Sequence, residues 1–159
     1  MEIVPFLIAS VALTVSPGPD ILYVMTQSIS NGKKFGIATA AGLVSGILVH
    51  TTLIALGISA VLKQSEIVFT VIKILGACYL FWIAFQVYKA PASITFSTAS
   101  GKHKSLRALF KQGFIMNVLN PKVTLFFLAF FPGFINESLG NVTQQIYFLG
   151  LLFMLQAFL

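Results

Sequence analysis

The sequence predicts an all-α integral membrane protein, a polytopic bundle of transmembrane helices. Composition indicates this first, because hydrophobic residues make up 57% of the 159 residues and charged residues only 9%. A typical globular protein has about 25% charged residues, which keep its surface soluble. The basic residues also lie in connectors between apolar stretches, as they do in membrane proteins. We therefore expect lipid around the chain and no nucleic acid as a partner, despite the net charge of +6.

Five apolar stretches are predicted to cross the membrane. A crossing helix needs about 20 apolar residues. The last stretch has only 15 residues from Gln145 and is still apolar at Leu159, so we expect a chain that is shortened at its C-terminus. All the spans belong to one transmembrane domain, residues 1–159, and they cover about 3–26, 35–62, 67–88, 112–135 and 144–159.

The connectors predict the orientation. Seven Lys and Arg residues lie in the connectors after the first and third spans, 27–34 and 89–111, against Lys63 alone on the opposite side. Basic residues are retained on the cytoplasmic side of a membrane. We therefore expect connector 89–111 to be cytoplasmic and the N-terminus to be external.

The first and fourth spans are interrupted by proline. Pro17, Gly18 and Pro19 interrupt the first span, and Asn120-Pro121 interrupts the fourth. Proline lacks the N–H that a helix needs, and unpaired backbone is tolerated at membrane depth only where protein or water covers it. Spans one and four would open two inverted three-helix repeats, and matched interruptions in such repeats are typical of a transporter's central site. The alternative is that these prolines only kink two packed helices.

A charged residue follows each break. Asp20 is the only carboxylate that clearly falls inside a predicted span. Burying a charge in hydrocarbon costs at least about 2.5–3.5 kcal/mol, so Asp20 should face a cavity, a partner or a helix end. It could carry a proton during transport, bind the ammonium of an amino acid, or act as the N-cap of a half-helix that begins near Ile21.

Lys122 and two asparagines accompany the second break. Lys122 could neutralise Asp20 or bind a substrate carboxylate, or its side chain could extend to the membrane interface. Asn117 and Asn120 are uncharged ligands suited to a zwitterion, although helix capping explains Asn120 nearly as well.

The second span has a face of small residues that ends in a histidine. Gly42 and Gly46 are four residues apart on this face, which favours close helix packing, and His50 follows at the same spacing. His50 could relay protons, or it could make a hydrogen bond between helices.

These motifs resemble a known family of exporters. Ser16-Pro17-Gly18-Pro19-Asp20 with Gly42, Gly46 and His50, Lys73-x-x-Gly76-Ala77-x-Tyr79-Leu80, and Asn117-x-x-Asn120-Pro121-Lys122 together resemble the LysE/RhtB family of amino acid exporters. The resemblance implies six helices in two related halves. It also implies efflux of amino acids across the bacterial cytoplasmic (inner) membrane, driven by the proton motive force.

We therefore predict a proton-coupled secondary transporter of amino acids or similar small zwitterions. Its site would lie between the two breaks. A passive channel or a non-transporting membrane scaffold is the alternative function. We expect no enzyme activity, because the sequence has no second membrane acid and neither an HExxH nor a GxSxG motif. No cofactor or metal is expected, and the oligomeric state stays open, a homo-oligomer included. The predicted site residues are Pro17, Gly18, Pro19, Asp20, His50, Asn117, Asn120, Pro121 and Lys122.

Overall fold

The computed structural model describes residues 2–64, 66–89 and 104–159, without the side chains of 58–64, 66, 68, 69, 87 and 137. The described residues are helical and include no strand, which confirms the all-α membrane class. Residues 90–103 of the connector lie outside the description. The α-helices are α1 (Ile3–Val15), α2 (Pro19–Asn31), α3 (Lys33–Gln64), α4 (Glu66–Lys89), α5 (Leu106–Val118), α6 (Pro121–Leu125) and α7 (Val142–Phe158).

Within the described residues, α3 is the helix that can cross a bilayer unaided, through its apolar part Lys33–Gly57. Two bent pairs are also long and apolar enough to cross when each is taken as one span. They are α1 with α2, and α5 with the segment Pro121–Phe134 that begins with α6. Shorter apolar helices cover Thr70–Gln86 and Val142–Phe158. Large apolar side chains such as Leu56 and Phe81, each 76% exposed, lie on the outside, as expected where lipid is the solvent.

Each break is a point where one helix ends and a new one begins. Pro19 and Pro121 both occupy the first turn of the helix that follows. At that position the missing N–H costs no hydrogen bond, since the first N–H groups of a helix have no partner inside it. The chain bends by 61° at the first break and by 45° at the second. The prolines therefore do more than kink two continuous helices.

The second bent pair begins earlier than the predicted span and ends at Phe134, close to its predicted end. α5 begins at Leu106, ahead of the apolar stretch predicted from Gln112, because Ser105 caps it by accepting a hydrogen bond from the Ala108 N–H at 3.2 Å. After α6 the chain continues through a π-helical turn, Phe126–Phe130, and a 3₁₀ turn, Phe131–Phe134.

Two regions of packing hold the helices next to the breaks in place: the contact of α3 with α5 and a phenylalanine core. The backbones of α3 and α5 pack closely, because a Cβ on Gly42 would collide with the Phe110 carbonyl and one on Gly113 with the Thr39 carbonyl. This confirms the packing role predicted for the small-residue face. Phenylalanines form the core between α1, the π-helical segment and α7, with Phe6 edge-on to Phe131 at 5.4 Å and Phe127 stacked on Phe153 at 5.7 Å between ring centres.

Candidate functional site

Asp20 and Lys122 form a buried ion pair between the two breaks. Each follows the proline that opens its half-helix, so the two charges occupy equivalent positions of α2 and α6. Lys122 Nζ lies 3.8 Å from Asp20 Oδ2, and the side chains are 7% and 15% exposed. The predicted neutralisation of Asp20 by Lys122 is therefore present in the structure. The alternative that Lys122 extends to the membrane interface is wrong, because its ammonium is buried among protein groups.

The Lys122 ammonium also completes the end of α1. It donates hydrogen bonds to the carbonyl oxygens of Leu13, at 3.2 Å, and Ser16, at 3.0 Å. The last carbonyls of a helix have no partner inside it and carry the negative end of the helix dipole. A cation at the N-terminus of its own helix is unfavourable, so this contact across the two breaks gives Lys122 its stabilising environment.

Asp20 lies in the first turn of α2, where a carboxylate is favoured by the helix dipole. It is not the N-cap considered from the sequence, because α2 begins at Pro19 and its N-cap is Gly18. Asn120 Nδ2 donates to Asp20 Oδ2 at 3.3 Å. The other oxygen, Oδ1, is buried and has no hydrogen-bond partner among the described residues. It lies close against Gly18, where a Cβ would collide with it.

The asparagines have different roles. Asn120 caps α6, since its Oδ1 accepts from the Lys122 N–H at 3.0 Å, and it touches Asp20 through its amide nitrogen. The backbone carbonyl of Asn117 lies 3.2 Å from His50 Nε2. The Asn117 side chain packs on Gly46, and its Oδ1 is buried with no hydrogen-bond partner in the part of the chain that the structure describes.

His50 is joined to the candidate site through Asn117. Its described contacts are the hydrogen bond to Asn117 and the ring of Phe127, with 5.5 Å between ring centres. The interhelical hydrogen bond considered from the sequence is therefore present. The proton-relay role stays a prediction.

Lys122 lines several cavities, and two of them also contain other predicted site residues. The first, which we call the inner cavity, has a volume of about 180 Å³ and is bordered by Asp20, Asn117 and Lys122 together with apolar side chains. The second, which we call the α4 cleft, has a volume of about 560 Å³. Lys122 borders both. Of the predicted site residues, the α4 cleft is lined by Pro17, Gly18, Pro19, Asn120, Pro121 and Lys122.

The sequence did not single out the residues of α4 that face this cleft. They are Tyr79, Trp82, Ile83 and Gln86. Their spacing of three, four and seven residues is the signal of a shared helix face and could have found them. In the part of the chain that the structure describes, no three His, Cys, Asp or Glu side chains are grouped as a metal site would need.

Comparison with known proteins identifies the family. The model of the LysE type translocators matches residues 11–159. The chain belongs to the LysE type translocator family. It is therefore a multi-pass membrane transporter, and the family predicted from the two proline motifs is confirmed.

Relatives of this translocator include proteins named for efflux. The homoserine/homoserine lactone efflux protein of Salmonella typhimurium is 35% identical over 141 residues, which cover 89% of this chain and 68% of that protein. An uncharacterized membrane protein of Vibrio cholerae is 33% identical, covering 87% of this chain and 67% of the relative. The membrane protein YrhP of Bacillus subtilis is 32% identical, over 92% and 73%. No solved structure matches this translocator significantly.

Proposed function

We propose that this translocator exports amino acids or related small zwitterions across the bacterial cytoplasmic membrane in exchange for protons. The family and the efflux protein that is 35% identical support export of an amino-acid-like compound. The observation that carries the proposal is the buried pair of Asp20 and Lys122, bordered by cavities, at the meeting point of two broken helices. Broken half-helices that present opposite charges in a membrane are suited to a ligand that carries both charges.

The empty and loaded sites would then have the same net charge. The ammonium of the substrate binds Asp20, and its carboxylate binds Lys122 with the amides of Asn117 and Asn120. The substrate replaces the contact that the two side chains make with each other. In the empty site the pair is neutral, and in the loaded site the zwitterion adds no net charge. The outward step with substrate therefore moves no uncompensated charge through a medium of low dielectric constant, where such a charge is costly.

Proton coupling follows from competition at Asp20. A proton on Asp20 removes the charge that binds the substrate ammonium, so the proton and the substrate exclude each other. The protonated empty site carries one net positive charge through Lys122. A membrane potential that is negative inside drives this charge inward by about 2.3 kcal/mol per 100 mV. Inward movement with a proton and outward movement with substrate together make an exchanger, in which His50 is the proposed proton relay.

The proposed motion is rocking of two inverted halves around this site. The equivalent placement of Pro19-Asp20 and Pro121-Lys122 in their half-helices supports two related halves. In this arrangement the N-terminus is external and connector 89–111 is cytoplasmic.

Export from intact cells tests the proposal. Cells with this chain or an empty vector are loaded with amino acids by dipeptide feeding, and the amino acids that appear outside are measured. We expect faster export with the chain. Asp20→Asn, which keeps the side-chain shape, should abolish export that depends on the proton gradient, because position 20 can no longer bind and release a proton.

Membrane content of the chain, measured by immunoblot, is the control for insertion. Unimpaired export by Asp20→Asn would show that Asp20 does not couple transport to protons. Export that ignores the proton gradient in the unmodified chain would favour a passive channel. No export above the empty vector would favour a non-transporting scaffold.

A further inference from the structure

The α4 cleft has the dimensions and shape of a ligand site. Its volume of about 560 Å³ is within the range of about 300–1,000 Å³ found for small-molecule pockets. One wall is formed by both breaks, Pro17–Pro19 and Asn120–Lys122. The opposite wall is α4, where the rings of Tyr79 and Trp82 lie 5.8 Å apart and Gln86 adds an amide one turn further along.

The charge in this cleft comes from Lys122. No acidic residue is among the described residues that line the cleft. Lys122 itself is paired with Asp20. A ligand group that carries a positive charge would find no carboxylate on the described walls of the cleft, and a buried charge without a counter-ion is costly. An uncharged group would instead gain apolar contacts with the aromatic wall, and an uncharged polar group could hydrogen-bond to Gln86.

Among the described residues, the cleft and the inner cavity share one lining residue, Lys122. Asp20 and Asn117 also line the inner cavity. A zwitterion whose carboxylate binds Lys122 can therefore place its head groups at the ion pair and its side chain in the cleft. The ion pair would then recognise the charged head groups, and the cleft would recognise the side chain.

We propose that the α4 cleft is the side-chain subsite and that it selects amino acids with uncharged side chains. Trp82 and Tyr79 provide the apolar wall, and Gln86 provides the polar contact. This assignment rests on the proposed binding of a zwitterion at Asp20 and Lys122. It makes amino acids with cationic side chains poor substrates of this translocator.

The sequence provides a reporter for this subsite, because Trp82 is its only tryptophan. Tryptophan emission of the purified full chain in lipid nanodiscs is followed while leucine, phenylalanine or lysine is added. We expect a saturable change with leucine and phenylalanine. Lysine should need at least a tenfold higher concentration, the order of discrimination expected for about 1.4 kcal/mol of lost contact. Glycine, which has the head groups alone, should change the emission least.

Export with single variants gives an independent measurement. Trp82→Ala should raise the half-saturating concentration of phenylalanine about tenfold and leave that of alanine nearly unchanged, because alanine does not extend to the wall. Phe81→Ala is the matched control, since Phe81 is the neighbouring aromatic on α4, is 76% exposed and does not line the cleft. It should leave both substrates unchanged.

The two measurements separate this inference from the proposed function. Export that persists without any selective tryptophan response, or that falls equally for all amino acids in Trp82→Ala, overturns the subsite while export stands. A selective and saturable response without export supports the subsite and overturns only the transport activity. Loss of both, with no response and no export, overturns both proposals.

Discussion

The two breaks have the same layout but are stabilised differently. In each, a proline opens the second half-helix and a charged residue follows it. At the first break the N-cap Gly18 makes no side-chain hydrogen bond, and the end of α1 is completed by Lys122 from the other break. At the second break Asn120 caps its own helix.

The half-helices that precede the breaks are also held differently. α5 is held by close backbone contact with α3 at Gly42 and Gly113. α1 packs through side chains such as Phe6, and Lys122 of α6 binds the carbonyls at its C-terminal end. The comparison indicates that the first break depends on charge and the second on steric fit and capping. Different substitutions should therefore disrupt each break.

Removal of the Lys122 ammonium should have the largest effect. Lys122→Met leaves the Asp20 carboxylate buried without its counter-ion and the Leu13 and Ser16 carbonyls without their donor. The loss of one partner of a buried pair costs about 3–5 kcal/mol in the free energy of unfolding. Unfolding in mixed detergent micelles measures this cost. The double variant Asp20→Asn with Lys122→Met should be more stable than Lys122→Met alone, and an equal or lower stability would contradict charge as the stabilising factor of the first break.

A methyl group at Gly46 should have the next largest effect, confined to the second break. Its Cβ would lie 2.6 Å from Asn117 Oδ1 and 2.7 Å from Asn117 Cβ. Overpacking of this kind costs about 1–3 kcal/mol. Gly57→Ala is the control on the same helix, because a Cβ there meets no described atom within 4 Å apart from its own helix backbone and chain neighbours, and it should be at least as stable as the unmodified chain. Equal losses in the two variants would refute a specific contact at Asn117.

Loss of the Asn120 cap should cost less. Asn120→Ala removes the acceptor for the Lys122 N–H, and such a cap contributes about 1 kcal/mol. Asn120→Ser restores a capping oxygen but lacks the amide that donates to Asp20. Ser should therefore recover most of the stability that Ala loses, as measured in the same unfolding assay. No recovery would mean that the contact with Asp20, and not the cap, is what Asn120 contributes.

The smallest effect on stability is expected at Gly18. Its φ of −153° is extended backbone that alanine adopts without strain, and the atoms nearest to a new Cβ are the ends of the Asp20 and Lys122 side chains. Gly18→Ala should rotate the Asp20 carboxylate but keep its contact with Lys122, and so change the free energy of unfolding by less than about 1 kcal/mol. Export should therefore fall while stability holds. Normal export would show that the position of this carboxylate is not critical.

The breaks could be predicted from the sequence, since the constraint that proline places on a helix is local and acts in any context. The buried position of Lys122 could not. A lysine next to a break in a predicted span also fits a side chain that extends to the interface. Only the contacts of Lys122 with Leu13 and Ser16, more than 100 residues away, exclude this. The cap that Asn120 makes on its own helix was one of two hypotheses from the sequence and is present in the structure. Its contact with Asp20 was not predicted.

The sequence by itself determined the membrane class, the family and the places where the helices restart. Apolar composition, proline chemistry and motif spacing depend only on the residues and their near neighbours. The tertiary structure decided which face of α4 lies opposite the breaks and that Asp20 and Lys122 meet. Those features depend on how distant helices are rotated and packed against each other, and the close contact of α3 with α5 through glycine fixes that packing for the second break.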